Sequence, residues 1–222
     1  MTDGVAREWL HELNPSARSL QDHYREGLPR REIYDRITDT ILAAVRTDAR
    51  VCAAFYGHPG VFVYPSHEAV RRARAEGFRA TMLPAVSAED CLFADLGVDP
   101  GATGCQSYEA TDFLIRERQI DPTAALILWQ VSVIGERIYS TGPREHRLGA
   151  LVEYLGNWYE REHVVTLYEA APYPFARPLI KRIALGDLQH AEPSPLATLY
   201  VPPAAVRDPD PEMIARLGLA AG

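Results

Sequence analysis

Lysine is almost absent from this 222-residue chain: Lys181 is the only one, and arginine supplies the rest of the positive charge. That bias reads as the codon usage of a GC-rich genome rather than as function. Acidic residues outnumber basic ones, the formal net charge is −7, and no basic cluster is interleaved with aromatics. Nucleic acid, which is bound through such clusters, is therefore not an expected partner. Cysteine is scarce as well. Cys52, Cys91 and Cys105 are odd in number and lack C-x-x-C spacing, which argues against a disulfide framework or a zinc knuckle and fits a reducing cytoplasm. No H-x-x-x-H pair occurs, and His67-Glu68 lacks the second histidine of a zincin, so no metal is expected. A serine or cysteine nucleophile with triad partners has no visible signature either. Long apolar runs are missing: a stretch such as Ala124 to Trp129 is too short to cross a bilayer, and Met1-Thr2-Asp3-Gly4 lacks the basic and apolar regions of a signal peptide. Neither membrane insertion nor secretion is expected.

What remains is an ordinary globular composition, 47% apolar, long enough to bury a substantial core. Ile33, Ile37, Ile41 and Val45 recur every four residues after Pro29, which predicts an amphipathic helix to about Arg46. Val51–Tyr56 and Arg79–Leu83 read as strands on either side of a helix, His67 to Ala75, with Ser66 as its N-cap and Gly77 as its stop. Ser87 caps a helix over Ala88–Leu96. The segments Cys105–Tyr108, Thr111–Arg116 and Ala125–Gln130 continue a strand-helix-strand alternation, the pattern of a parallel sheet covered by helices. Gly135 to Arg147, with Gly135, Gly142 and Pro143 among polar residues, is the expected link, dividing the chain into 1–134 and 135–222. Beyond it a helix at Leu148–Tyr159, strands at Val164–Tyr168, Leu179–Ile183 and Ala197–Val201, and a terminal helix over Glu212–Leu219 predict a mixed α/β second domain.

The loop Tyr56-Gly57-His58-Pro59-Gly60-Val61-Phe62 follows the first of those strands. Two glycines permit close backbone approach and Pro59 fixes a dihedral, so the loop suits a small ligand held by backbone groups. A lone glycine-proline loop is more often only a tight turn. Ser87 and Ala88 fall at the carboxyl end of the next strand and Gln130 at the end of another, where open α/β sheets bind ligands. Gln130 alone reads equally as a hydrogen bond at a domain boundary, and His58 as a histidine that orders its own loop. Arg30 and Tyr34 are one turn apart on a helix and share a face, with Tyr24 just ahead; such pairs are mostly solvated stacks.

Three runs change that balance: YGHPGVFV from Tyr56, LPAVSAEDCLFADL from Leu83, and YEATDFLIRER from Tyr108. Together they resemble the tetrapyrrole methylase family of S-adenosylmethionine (SAM) enzymes, and within it the borosin type, which methylates peptide backbone nitrogens. Porphyrin-acting members usually carry an acidic residue where His58 stands. The resemblance is densest from Tyr24 to Gln130 and thins to islands such as TLYVPP from Thr198. It implies two α/β domains with the cofactor cleft between them. Family members begin with a strand and a glycine-rich turn; with only Gly4 and Gly27 ahead of Arg50, the chain is expected to be N-terminally truncated.

By resemblance, Tyr56, Gly57, His58, Pro59, Gly60, Val61, Phe62, Ser87, Ala88 and Gln130 contact SAM or its product S-adenosylhomocysteine. Ala170 and Ala171 offer backbone to the adenine, and Thr198 a hydroxyl near the adenosine. Tyr24, Arg30 and Tyr34 match the catalytic group of the peptide N-methyltransferases without a gap, whereas Gln21 replaces a further tyrosine of the fungal enzymes. Arg30 would favour phenolate at Tyr34, or stabilise the imidate oxygen of the substrate directly. The expected activity is methylation of backbone amides in a ribosomal peptide supplied in trans, since no tail resembling a core peptide follows Leu219, and a homodimer is expected by resemblance. The rivals are a tetrapyrrole or precorrin-type C-methyltransferase, and a non-catalytic SAM-binding or scaffold subunit.

Overall fold

A computed structural model describes residues 4–47, 50–142, 147–173 and 175–219. Within the first of these stretches a short helix α1 (Gly4–Leu13) precedes α2 (Arg30–Arg46). The four-residue isoleucine spacing does what it predicts: Ile33, Ile37 and Ile41 form one buried stripe on α2 and pack against Ala69 of α3 (Tyr64–Ala75). Ion pairs flank that apolar seam. Arg46 reaches both carboxylate oxygens of Glu76 at 2.6 and 2.5 Å, and Arg72 reaches Asp39 at 2.8 Å. Pro29 occupies the N-cap position with ψ of 131°, so α2 starts one residue later than expected. Gly77 ends α3 as predicted: its φ is +88°, and the following Phe78 amide donates back to the Ala73 carbonyl.

Two corrections fall in this region. Val51–Tyr56 and Arg79–Leu83 are not strands, since neither belongs to any ladder among the described residues. Apolar, β-branched composition signals extended backbone, while a strand also needs a neighbour's amides and carbonyls. Val51 through Ala54 are exposed, as are Leu83 and Val86. Ser66 is not the N-cap of α3, which begins two residues earlier at Tyr64 with Pro65 in its first turn. Its hydroxyl donates instead to the carbonyls of Pro59 and Val63, tying the helix to the loop before it.

After α4 (Ala88–Leu96) and the single turn α5 (Pro100–Thr103), the chain builds a five-stranded sheet. Its strands are β1 (Cys105–Glu109), β2 (Ala125–Trp129), β3 (Val164–Glu169), β4 (Leu179–Ala184) and β5 (Thr198–Val201), ordered β1-β2-β5-β3-β4. β1 and β2 are parallel and joined through α6 (Ala110–Ile115); every other pairing is antiparallel. All five residues of β2 are buried, in keeping with its near-continuous apolar run. On one face Leu126 and Leu128 of β2, Val165 and Leu167 of β3, and Leu199 and Val201 of β5 meet Phe113 of α6 and Leu148, Leu151 and Leu155 of α7 (Leu148–Leu155). β4 is an exposed edge carrying Lys181 and Arg182, charges that discourage further strand addition. Helix α8 (Pro211–Arg216) closes the described chain, capped by Asp210, which accepts from Glu212 N at 2.9 Å.

The elements fall into two compact units, Met1–Ala94 with Gly135–Glu145, and Asp95–Ile134 with His146–Gly222. The boundary expected after residue 134 is one of the places where the chain passes between them. Contiguous halves are not the grouping that contacts make, because β1 and β2 share one sheet with β3, β4 and β5. Residues 143–146 of the expected link lie outside the described residues. Leu128→Ala, at a wholly buried position of the interior strand β2, should cost about 2–5 kcal/mol of stability, read as a lower urea midpoint at unchanged slope.

Candidate functional site

The first unit holds most of the predicted site. Gly57 sits at φ +71°, a conformation other residues adopt only under strain, and a Cβ there would lie 3.9 Å from the Val86 carbonyl. A Cβ on Gly60 would lie 3.0 Å from Met82 Sδ and 3.1 Å from His58 Cε1, so Gly60 leaves room for the Met82 side chain and the His58 ring. His58 turns inward: its Nδ1 accepts from the Gly60 amide at 2.9 Å, which makes it an organiser of its own loop. His58 O also accepts from Val61 N at 3.2 Å, while His67 Nε2 lies 2.9 Å from Gly60 O. Pro59 is held through Ser66, and Tyr56 and Phe62 are exposed at the two ends of the loop, Phe62 at φ +54°.

Ser87 forms a reciprocal cap with Asp90. Asp90 Oδ2 accepts from the Ser87 amide at 2.7 Å and from its hydroxyl at 2.6 Å, while Ser87 Oγ accepts from Asp90 N at 3.2 Å. The Ser87 hydroxyl, then its amide, hold the Asp90 carboxyl below the usual carboxylate range, with His58 assisting. The Ser87 side chain is thus committed to the start of α4, with Ala88 half-buried beside it.

Tyr24, Arg30 and Tyr34 do come together. Tyr24 and Tyr34 both pack on the α2 isoleucine cluster, and Arg30 opens that helix. Burial, then the neighbouring Tyr34, push the Tyr24 phenol up to about 12, with Arg30 opposing and Tyr139 adding to the rise. Tyr24 is consequently a neutral donor at physiological pH rather than a base. Tyr34 also reaches toward the loop, its ring centroid 6.4 Å from that of Tyr64, two residues beyond Phe62.

Two members of this cluster escape sequence reasoning. Residues 27–30 pair antiparallel with 137–139: Gly27 N donates to Tyr139 O at 3.0 Å, Tyr139 N to Leu28 O at 2.8 Å, and Arg30 N to Arg137 O at 2.8 Å. Arg30 Nη2 thereby meets Glu136 Oε2 at 3.4 Å, and Tyr139 meets Tyr24 edge-on at 5.4 Å. Arg30 Nε is buried with no partner among the described residues. Nothing local in the sequence announces a pairing across a hundred residues.

The second unit holds the remaining predicted residues at one end of its sheet. Gln130 follows β2, Ala170 and Ala171 follow β3, and Thr198 opens β5 opposite Tyr168. Since β5 runs antiparallel to β2 and β3, its start lies beside their carboxyl ends. Gln130 is exposed at φ +59°, an uncommon left-handed conformation for a residue with a side chain, and Thr198 is buried.

A family model described as Tetrapyrrole (Corrin/Porphyrin) Methylases matches residues 2–184. The chain belongs to that family. Solved tetrapyrrole methylases share the fold: the methyltransferase CobJ superposes with a TM-score of 0.56 at 18% identity, covering 80% of this chain and 74% of its own. A Thermus thermophilus uroporphyrin-III C-methyltransferase solved with S-adenosylhomocysteine gives 0.53 at 16%, covering 76% and 69%. Sequence similarity is higher to another branch of these methylases. A Gymnopus fusipes protein named as a methyltransferase and gymnopeptide precursor is 39% identical over 226 residues, covering 100% of this chain and 54% of that protein. The corresponding omphalotin A precursor of Omphalotus olearius is 40% identical over 222 residues, covering 98% and 53%. The chain therefore spans about half the length of these curated relatives.

Ser87→Ala should cost about 1 kcal/mol through loss of the cap. Asp90 is held below its ordinary value, so its contribution is present above that value and lost as pH falls through the folded one. The stability gap between variant and parent, followed by thermal melts, should accordingly narrow below about pH 4.

Proposed function

We propose that this tetrapyrrole methylase is a SAM-dependent enzyme that methylates backbone amide nitrogens of a ribosomal peptide. The observation that carries the reading is the Tyr24, Arg30 and Tyr34 cluster, and above all the buried, unpartnered Nε of Arg30. A buried donor without an acceptor costs about 1–3 kcal/mol, a cost that persists where an incoming oxygen is to be met. The similarity to curated proteins named as methyltransferase and cyclic peptide precursors supports the peptide as substrate. Tetrapyrrole-acting proteins share the family and the fold at lower identity, 18% and 16% for the two superpositions described above.

The loop fits a cofactor held by backbone, since the Gly57 conformation favours glycine and a side chain at Gly60 would displace the Met82 sulfur and the His58 ring. In this reading Tyr56 to Phe62, Ser87 and Ala88 hold SAM in the first unit, while Gln130, Ala170, Ala171 and Thr198 are cofactor contacts on the family resemblance alone. Bound SAM supplies a methyl group on a positively charged sulfur, which leaves as a thioether. An amide nitrogen becomes nucleophilic only when its proton leaves and charge collects on the carbonyl oxygen. The Tyr34 oxygen takes that proton, and the Arg30 guanidinium faces the oxygen that gains charge. Tyr24, neutral at its raised value, donates a hydrogen bond and orients the peptide. The proton is later released to solvent, so nitrogen exchanges hydrogen for methyl with one proton liberated. A homodimer in the cytoplasm completes the proposal.

Calorimetry with S-adenosylhomocysteine should show binding to the folded chain, weakened in Gly60→Val, whose added carbons push against Met82 and His58; no heat from the parent would remove the cofactor from the site. Incubation with SAM and the part of the Omphalotus olearius precursor outside the aligned region, supplied as a separate chain, should add methyl units to backbone nitrogens by mass spectrometry. Tyr34→Phe should slow single-turnover methylation by about 10²–10⁴ while leaving cofactor affinity intact. A near-parent rate would strike Tyr34 from the mechanism.

A further inference from the structure

Arg30 is held by more than its own helix. The 137–139 segment fixes its backbone, and the same arm brings two side chains to its guanidinium: Glu136 at 3.4 Å from Nη2, and Tyr139, whose ring centroid lies 5.7 Å from Arg30 Cζ. Both charged side chains are largely buried, 23% exposed for Arg30 and 16% for Glu136, so solvent screens the pair only in part. We propose that Glu136 and Tyr139 are positioning residues for Arg30, restraining one edge and one face of its guanidinium so that the partly exposed group is held in one orientation for the substrate oxygen.

The length of the Glu136 contact matters to this role. A close, two-point carboxylate clamp of 2.7–2.9 Å would use two donors. A single contact at 3.4 Å engages one terminal nitrogen and leaves the other donors of the planar group for charge that develops on a peptide oxygen. Tyr139 adds a π-face and also touches Tyr24 edge-on, so one arm sets the arginine and the donor phenol together. The inference rests on Arg30 acting as the oxygen-stabilising group, and the test separates the two.

Glu136→Ala removes the restraint, whereas Glu136→Gln keeps the shape and an acceptor oxygen. With the Omphalotus olearius peptide segment as probe, Glu136→Ala should slow single-turnover methylation at least tenfold with the S-adenosylhomocysteine dissociation constant unchanged, and Glu136→Gln should recover the rate to within about threefold. Combining Glu136→Ala with Arg30→Lys should be little slower than Arg30→Lys alone, because both act through one guanidinium. A second readout needs no substrate. The side-chain Nε–H resonance of Arg30, assigned by its loss in Arg30→Lys, should exchange slowly with water in the parent and faster in Glu136→Ala. An impaired Arg30→Lys beside a Glu136→Ala of parental rate and parental Arg30 resonance overturns the positioning role and leaves the catalytic reading standing. A parental rate in Arg30→Lys overturns both.

Discussion

A backbone amide without a partner costs more than most side-chain contacts contribute, and the segment entering α2 meets that demand with residues far along the chain. Gly27, Leu28 and Arg30 pair with Arg137 and Tyr139 through three backbone hydrogen bonds of 2.8–3.0 Å. This short ladder explains why the first unit is discontinuous in sequence, with Gly135–Glu145 grouped beside Met1–Ala94. It also decides the chemistry available there. Without it Arg30 would stand at the first turn of a helix as an exposed, mobile cation; with it the guanidinium is three-quarters buried, has a carboxylate at one edge and keeps one donor unspent.

Elements whose signal is internal periodicity were readable in the sequence. The isoleucines of α2 and the apolar run of β2 follow from spacing that a packed face imposes, and β1, β3, β4 and β5 lie within about one residue of their expected bounds. Val51–Tyr56 and Arg79–Leu83 carry the same kind of composition and yet are unpaired, because pairing is a property of two segments and composition belongs to one. Ser66 misled for a related reason: a serine ahead of a helix resembles a cap, but Pro65 already starts the turn and the hydroxyl is drawn to Pro59 and Val63. At the candidate site the family-like motifs led to Tyr24, Arg30 and Tyr34, whereas Glu136 and Tyr139 depend on a long-range bridge that no local pattern encodes.

Much of the loop's polar chemistry is spent on its own shape. His58 accepts from Gly60, Ser66 holds Pro59, Ser87 and Asp90 cap one another, and His67 lies against Gly60 O. Side chains occupied in this way are poor candidates for proton transfer and good ones for rigidity. For the proposed cofactor, a loop ordered in this way has less conformational freedom to lose on binding. In that reading reactive side chains fall to the α2 entrance and small-residue backbone to the loop.

Charge at the α2 entrance is arranged to the same end. The Tyr24 phenol, raised to about 12 chiefly by burial, resists ionisation and remains a donor. Glu136 meets Arg30 through a single oxygen at 3.4 Å, so it occupies one terminal nitrogen and leaves the other donors of the guanidinium uncommitted to it. An amide is among the weakest nitrogen nucleophiles, and its activation calls for positive potential at the carbonyl oxygen together with a proton acceptor nearby. In the proposed reading the restrained Arg30 guanidinium, the neutral Tyr24 phenol and the half-buried Tyr34 phenol on the next turn of the helix meet those two needs.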